Sequence, residues 1–236
     1  MSYSVIDPMK FAAIEWPDVT FYKQQQEIAY SVLDNRETIV VAANQMGKDF
    51  VAGFIILWFF ISREPCRIVT TSAKDDHLRV LWGEIGKFIQ TAKHPLEYSK
   101  GGNLIFNQRE LKKVVNGVES KNSYCRGMVA SSDKIAAMQG HHATPESDDI
   151  KRMEKYFQTY HPKQWEERLN EWLLIPRTLF VSDESSSVPH EYYEMADTWA
   201  KRMLIFGNAW PCNNFFKYGV KGNPETRDPG GDLEWA

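Results

Sequence analysis

Residues 38–50, TIVVAANQMGKDF, constrain this chain more than any other stretch. They open on Ile39, Val40 and Val41, a β-branched run with no polar break, which predicts a fully buried parallel strand. Small and polar residues follow: Ala42, Ala43, Asn44, Gln45 and Met46. Gly47 and Lys48 come next, and after Asp49 and Phe50 a long apolar run, VAGFIILWFFI, predicts a core helix. Strand, tight loop, Gly-Lys and helix is the layout of a phosphate-binding loop. Free N–H groups at a helix N-terminus point at one spot, and the helix dipole favours an anion there. Gly47 lets the backbone approach closely, and Lys48 supplies a point positive charge. The segment from Ala42 to Phe50 is therefore the candidate anion cradle; the plain alternative is an ordinary strand-to-helix turn. Two positions depart from the usual pattern. Ala42 stands where a first glycine is common, and Asp49 stands where Ser or Thr would follow the lysine.

At 236 residues the chain can hold one large α/β domain, or a domain with a sizeable insertion. Its net charge of −3 gives no global basic field, so any nucleic-acid contact needs a local patch. Cys66, Cys125 and Cys212 lack metal-ligand spacing, which fits a reducing, cytosolic compartment. Residues 1–11 do not read as a signal peptide, and the apolar run at residues 53–61 is too short to span a bilayer. No membrane association is expected.

Along the chain, residues 1–17 read as irregular, anchored by Phe11, Ile14 and Trp16. Residues 21–35 carry a helical stripe with three successive glutamines, Gln24 to Gln26. A glutamine amide can donate to and accept from the edge of adenine, and Gln25 is the candidate reader, against the alternative of a polar helix face. Residues 66–73 predict a strand and residues 75–93 an amphipathic helix. Residues 104–131 predict short strands with a hairpin through Asn116-Gly117. Residues 131–143 read as a short helix and loop. Residues 144–176 are charged and aromatic, with two helical patterns parted near His161-Pro162, and read as an insertion. Leu179 to Val181 form a buried strand running into Asp183-Glu184, and Met203 to Phe206 form another running into Gly207-Asn208. The last residues read as a linker. Strands alternating with helices predict an α/β fold, a mostly parallel sheet flanked by helices, with its ligand outside the carboxyl ends of the strands.

An apolar strand ending in Asp-Glu complements the loop. Asp183 would hold Mg²⁺, Glu184 would act as general base on an attacking water, and Lys48 would balance charge on the phosphates. The alternative is that Asp183-Glu184 merely caps the next helix.

Taken in order, the Gln25 segment, AANQMGKD, VTTSAKDDHLRVLWGEI, SSDKIAAMQGHHA, LFVSDES and LIFGNAWP resemble the ATPase domain of a tailed-bacteriophage large terminase. The resemblance implies a P-loop NTPase fold of the RecA/ASCE type over residues 1–220, with a helical insertion at 144–176. Residues 221–236 would then lead towards an RNase H-like nuclease domain. It further implies ATP and Mg²⁺, and Gly207-Asn208 as a coupling motif. Asp49, a departure from the usual Ser or Thr, is expected to face the Mg²⁺ shell beside Asp183, against the alternative that it caps the loop helix. The implied partners are double-stranded DNA, a portal protein and a small terminase subunit, with a homo-oligomeric ring on the procapsid in the host cytoplasm. A helicase-like translocase and a nucleotide-binding regulatory module are the alternatives. Two arginines common in the family are missing: their positions hold Asn44 and Gln139-Gly140. An arginine from a neighbouring subunit is expected instead, with Arg126, Arg152 and Arg168 as candidates. Arg126, read as following a strand, is the first choice for rigidity.

Overall fold

The computed structural model describes residues 7–42, 46–98, 101–115, 117–208 and 210–221. Seven strands make one sheet: β1 (Glu37–Val41), β2 (Arg67–Ser72), β3 (Leu104–Asn107), β4 (Glu110–Val115), β5 (Val118–Val129), β6 (Thr178–Asp183) and β7 (Arg202–Gly207). Their order across the sheet is β1-β7-β6-β2-β5-β4-β3. The first five are mutually parallel, and β4 and β3 extend the sheet antiparallel. This is the expected α/β class with a mostly parallel sheet.

Helices cover both faces. On one side lie α1 (Pro8–Glu15), α2 (Lys23–Asp34), α3 (Lys48–Ile61) and α4 (Asp75–Thr91), which share a core with Ile68, Leu179, Val181, Leu204 and Phe206. On the other lie α7 (His190–Asp197) and α8 (Phe215–Lys221), packed with Val69, Phe180, Met203 and Ile205. Alternate residues of β6 and β7 thus enter opposite cores. That is why both strands read as unbroken apolar runs. In α3 every residue from Val51 to Phe60 is buried, which explains a helix with no polar face.

Three expectations are corrected. Residues 8–15 form a helix, not an irregular segment. Asp7 accepts the Lys10 N–H at 2.9 Å and Pro8 opens the helix, both standard start signals. Phe11 and Trp16 are buried as anchors, but Ile14 is half-exposed. Second, Ile39, Val40 and Val41 are only partly buried, because β1 pairs with β7 alone among the described residues and so lies at the sheet edge. Helix α8 covers part of it: a Cβ on Gly219 would stand 2.0 Å from the Ile39 Cδ1. Third, residues 118–129 form one long strand, not several short pieces. It is held by β2 on one side and folds back on β4 through Gly117, whose φ is +79°; Asn116 lies outside the described residues.

Residues 144–176 fold as two helices, α5 (Ser147–Tyr160) and α6 (Trp165–Leu174), with their own small core of Met153, Phe157 and Trp172. The buried Arg177 ties the end of α6 to the sheet. Its guanidinium donates to the carbonyls of Trp172, at 2.6 Å, and Ile175, at 2.8 Å. Burial of that guanidinium lowers its pKa to about 10.

Candidate active site

Because β1, β7 and β6 are parallel neighbours, their carboxyl ends lie on one rim of the sheet. The loop after β1 and the acidic pair ending β6 are two strand spacings apart, about 10 Å. A lysine side chain closes that gap. Lys48, the first residue of α3, is buried, and its Nζ donates to Asp183 Oδ1 at 2.7 Å and also to Glu184 Oε1. Asn208, just past β7, donates from Nδ2 to Glu184 Oε2 at 3.1 Å. The Gly-Lys, Asp-Glu and Gly-Asn pairs expected from sequence therefore converge.

Burial works against the charge on Lys48, but the field of Asp183 and the hydrogen bonds to Asp183 and Glu184 outweigh it, and its pKa is raised. Asp49 lies one residue further on. Burial, then repulsion from Asp183, pushes its carboxyl up, with Lys48 pulling the other way. A carboxylate at a helix N-terminus would ordinarily be favoured by the dipole; here burial and the acidic neighbours win.

The local backbone suits the task. Gly47 has φ +71°, and a Cβ there would approach Gln25 Nε2 to 3.0 Å. Gln25 itself is buried, and its Oε1 accepts the Tyr22 N–H at 3.1 Å. Half of the amide thus braces the start of α2, and the other half lies against the loop. The Ala42 N–H donates to the Gly207 carbonyl at 3.0 Å, which pins the loop entrance to β7. Gly207 has a packing reason as well, since a Cβ there would strike the Phe216 ring at 2.6 Å. Phe50 turns its ring into the aromatic cluster, 5.3 Å from Phe21 and 4.9 Å from Phe88, so it offers the loop backbone only. Met46 is exposed at the rim. Ala43, Asn44 and Gln45 lie outside the described residues.

Glu184 is the one non-glycine residue described with positive φ, at 51°. Such a backbone costs of order 1–3 kcal/mol and persists only when its surroundings enforce it. They do so here. Ser185 is buried and donates from Oγ to the Ser182 carbonyl at 3.0 Å. The Ser185 carbonyl accepts from Tyr193 Oη at 3.0 Å and from Asn214 Nδ2 at 2.8 Å.

The residues fit a hard divalent cation. Asp183 Oδ2 is buried without a hydrogen-bond partner, and Asp183, Glu184 and His77 can bring ligand atoms within 4.8 Å of one another. Carboxylate oxygens are what Mg²⁺ prefers. The sequence does not single out His77, in the first turn of α4: it reaches the pair because β2, the strand before α4, lies beside β6.

No family model and no curated protein matches the sequence. Solved structures do. A point mutant of the large terminase ATPase domain from Thermus phage P74-26 aligns at 12% identity and a TM-score of 0.57, covering 89% of this chain and 73% of that one. The fold is that of a large-terminase ATPase domain. The unmutated P74-26 domain aligns at 11% identity and a TM-score of 0.54, over 92% and 77% of the two chains. The HK97 bacteriophage large terminase aligns at 12% and 0.56, over 94% of this chain and 42% of that one. Among the described residues of this terminase-like fold, no helix is long and apolar enough to cross a membrane.

The candidate trans arginines all have partners. Arg126 Nε donates to Glu110 at 2.8 Å and its guanidinium lies 4.4 Å from the Tyr124 ring. It sits inside β5, three residues before the last one, Val129; the expectation that it ends a strand is corrected. Arg152 pairs with Asp149 at 2.9 Å and Arg168 with Glu171 at 3.5 Å.

Proposed function

We propose that this chain is the ATPase motor domain of a viral DNA-packaging terminase. The observation that carries the reading is Lys48 bridging Asp183 and Glu184 across the strand ends of a terminase-like fold. ATP would take the loop from Ala42 to Phe50, with Gln25 beside the base. Bound at Asp183, with Asp49 nearby, Mg²⁺ would neutralise charge on the β- and γ-phosphates. Lys48 moves from the carboxylates to those oxygens. Glu184, freed of the ammonium, takes a proton from water as the water oxygen bonds to the γ-phosphorus and the bond to ADP breaks. Asn208 holds the second carboxylate oxygen and links this event to β7. Translocated double-stranded DNA, a portal protein, a small terminase subunit and a ring of like subunits complete the proposal, with an arginine entering from a neighbour. The setting is the host cytoplasm, and a nuclease domain would follow residues 221–236.

A second reading, a nucleotide-binding module with little turnover, draws on Asp49, a third acid beside the pair where a hydroxyl is usual. Phosphate release from ATP separates the two. Wild type should hydrolyse ATP with Mg²⁺, and Lys48→Ala should abolish this and weaken binding. Glu184→Gln should keep ATP affinity and lose about 10²–10⁴-fold in turnover. Tight binding with no hydrolysis by assembled wild type on DNA would favour the module; a Lys48→Ala chain as active as wild type would remove the site assignment.

A further inference from the structure

The carboxylate of Glu184 is held in the nucleotide-free chain by two donors, Lys48 on Oε1 and Asn208 on Oε2. If the loop binds phosphate, as proposed above and on which this inference rests, the ammonium turns to that anion. Oε1 then loses its donor, while the braced backbone at Ser185 keeps Glu184 in place. On that side stands the His77 ring. Its Nδ1 stands 3.8 Å from Glu184 Oε1, within ion-pair reach but beyond a hydrogen bond. The ring is 38% exposed, so it has room to turn. Both side chains face a cavity of about 260 Å³, lined also by Lys74, Asn208 and Trp210. That volume accommodates several waters at about 30 Å³ each.

We infer that His77 is a positioning residue for Glu184. As Lys48 departs, Nδ1–H closes on Oε1, and the carboxylate stays aimed at a water in this cavity. A water must be met at a fixed angle by its base, and a displaced catalytic group loses about 100-fold. Asn208 alone fixes one oxygen and leaves the carboxylate free to swing. The first turn of α4 brings the imidazole in from β2, the strand beside β6.

The test uses single turnovers of labelled ATP by the full chain, so that very slow variants remain readable. His77→Ala should lower the hydrolysis rate about 10- to 100-fold, with ATP affinity and half-saturating Mg²⁺ unchanged. His77→Gln, which retains a donor, should recover part of the loss. On a Glu184→Gln background, His77→Ala should cost less than about twofold, because the group it acts through is gone. A shifted Mg²⁺ requirement, with the rate regained at high Mg²⁺, would make His77 a metal ligand and overturn the inference. So would an equal loss on both backgrounds, or no loss at all. A neutral His77→Ala beside an inactive Lys48→Ala overturns this inference alone. A fully active Lys48→Ala overturns the nucleotide reading and this inference together.

Discussion

Replacing Lys48 by alanine interrogates the ion-pair core before any nucleotide is added. Lys48 and Asp183 are buried, at 8% and 4% exposure, and Glu184 is partly buried at 14%. Deleting the ammonium leaves Asp183 Oδ1 bare beside Oδ2, which has no hydrogen-bond partner already. Removing one partner of a buried pair costs about 3–5 kcal/mol. Glu184 keeps its bond from Asn208, so the lower end applies, about 3 kcal/mol. In a chain of this size each kcal/mol moves Tm by about 2–4 °C, so the variant should melt about 6–12 °C lower near neutral pH without divalent ions. Mg²⁺ should return part of the loss, and it should stabilise the variant more than wild type, where it must displace the ammonium. Thermal denaturation followed by circular dichroism reads both arms. A Tm within about 2 °C of wild type, with no extra response to Mg²⁺, would refute the ion-pair reasoning, since that shift corresponds to no more than about 1 kcal/mol.

Asp49→Asn should act in the opposite sense. A carboxyl whose folded pKa is raised costs stability only when ionised, so the cost is absent below the unfolded value, about 3.9, and grows as pH rises through the folded one. The variant should therefore melt above wild type near neutral pH and level with it in acid; a lower Tm at neutral pH would assign Asp49 to capping α3. Mixing tests the arginine in trans. A Lys48→Ala chain should restore hydrolysis to a chain lacking its arginine, and failure of every mixture, with activity independent of concentration, would make the site complete within one chain. An arginine supplied in trans is worth about 10³–10⁵ in rate in GTPase systems, so the rescue would be large.

The parts of the fold legible in the sequence were those fixed by local pattern. The continuous apolar runs at residues 51–61 and 179–181 announce burial on all sides; α3 is buried from Val51 to Phe60, and β6 throughout. The misread parts depend on neighbours. Ile39 to Val41 have the composition of a central strand, yet only β7 pairs with them, and α8 supplies the missing cover. The strength of a β-branched run reports propensity and says nothing of how many strands flank it. Residues 8–15 failed for a different reason: the Asp7-Pro8 start signal was present, but the helix is short and lacks a clear apolar stripe.

The site divides the same way. Lys48, Asp183, Glu184 and Asn208 were legible because each lies at or just past the carboxyl end of a strand, and parallel strands bring those ends together. His77 was not, since its approach to Glu184 depends on β2 lying beside β6, which no local pattern encodes. The arginines give the sharpest contrast. Rigidity favoured Arg126, which within β5 is held by Glu110 and by the Tyr124 face. Arg152 and Arg168 are held only by partners three residues away on their own exposed helices, pairs worth about 0.2–0.5 kcal/mol. A side chain that must leave one carboxylate to reach a neighbour's phosphate gives up little from α5 or α6. For the arginine proposed to act in trans, the helical pair, which has its own core and is fastened to the sheet by Arg177, would therefore be the better platform.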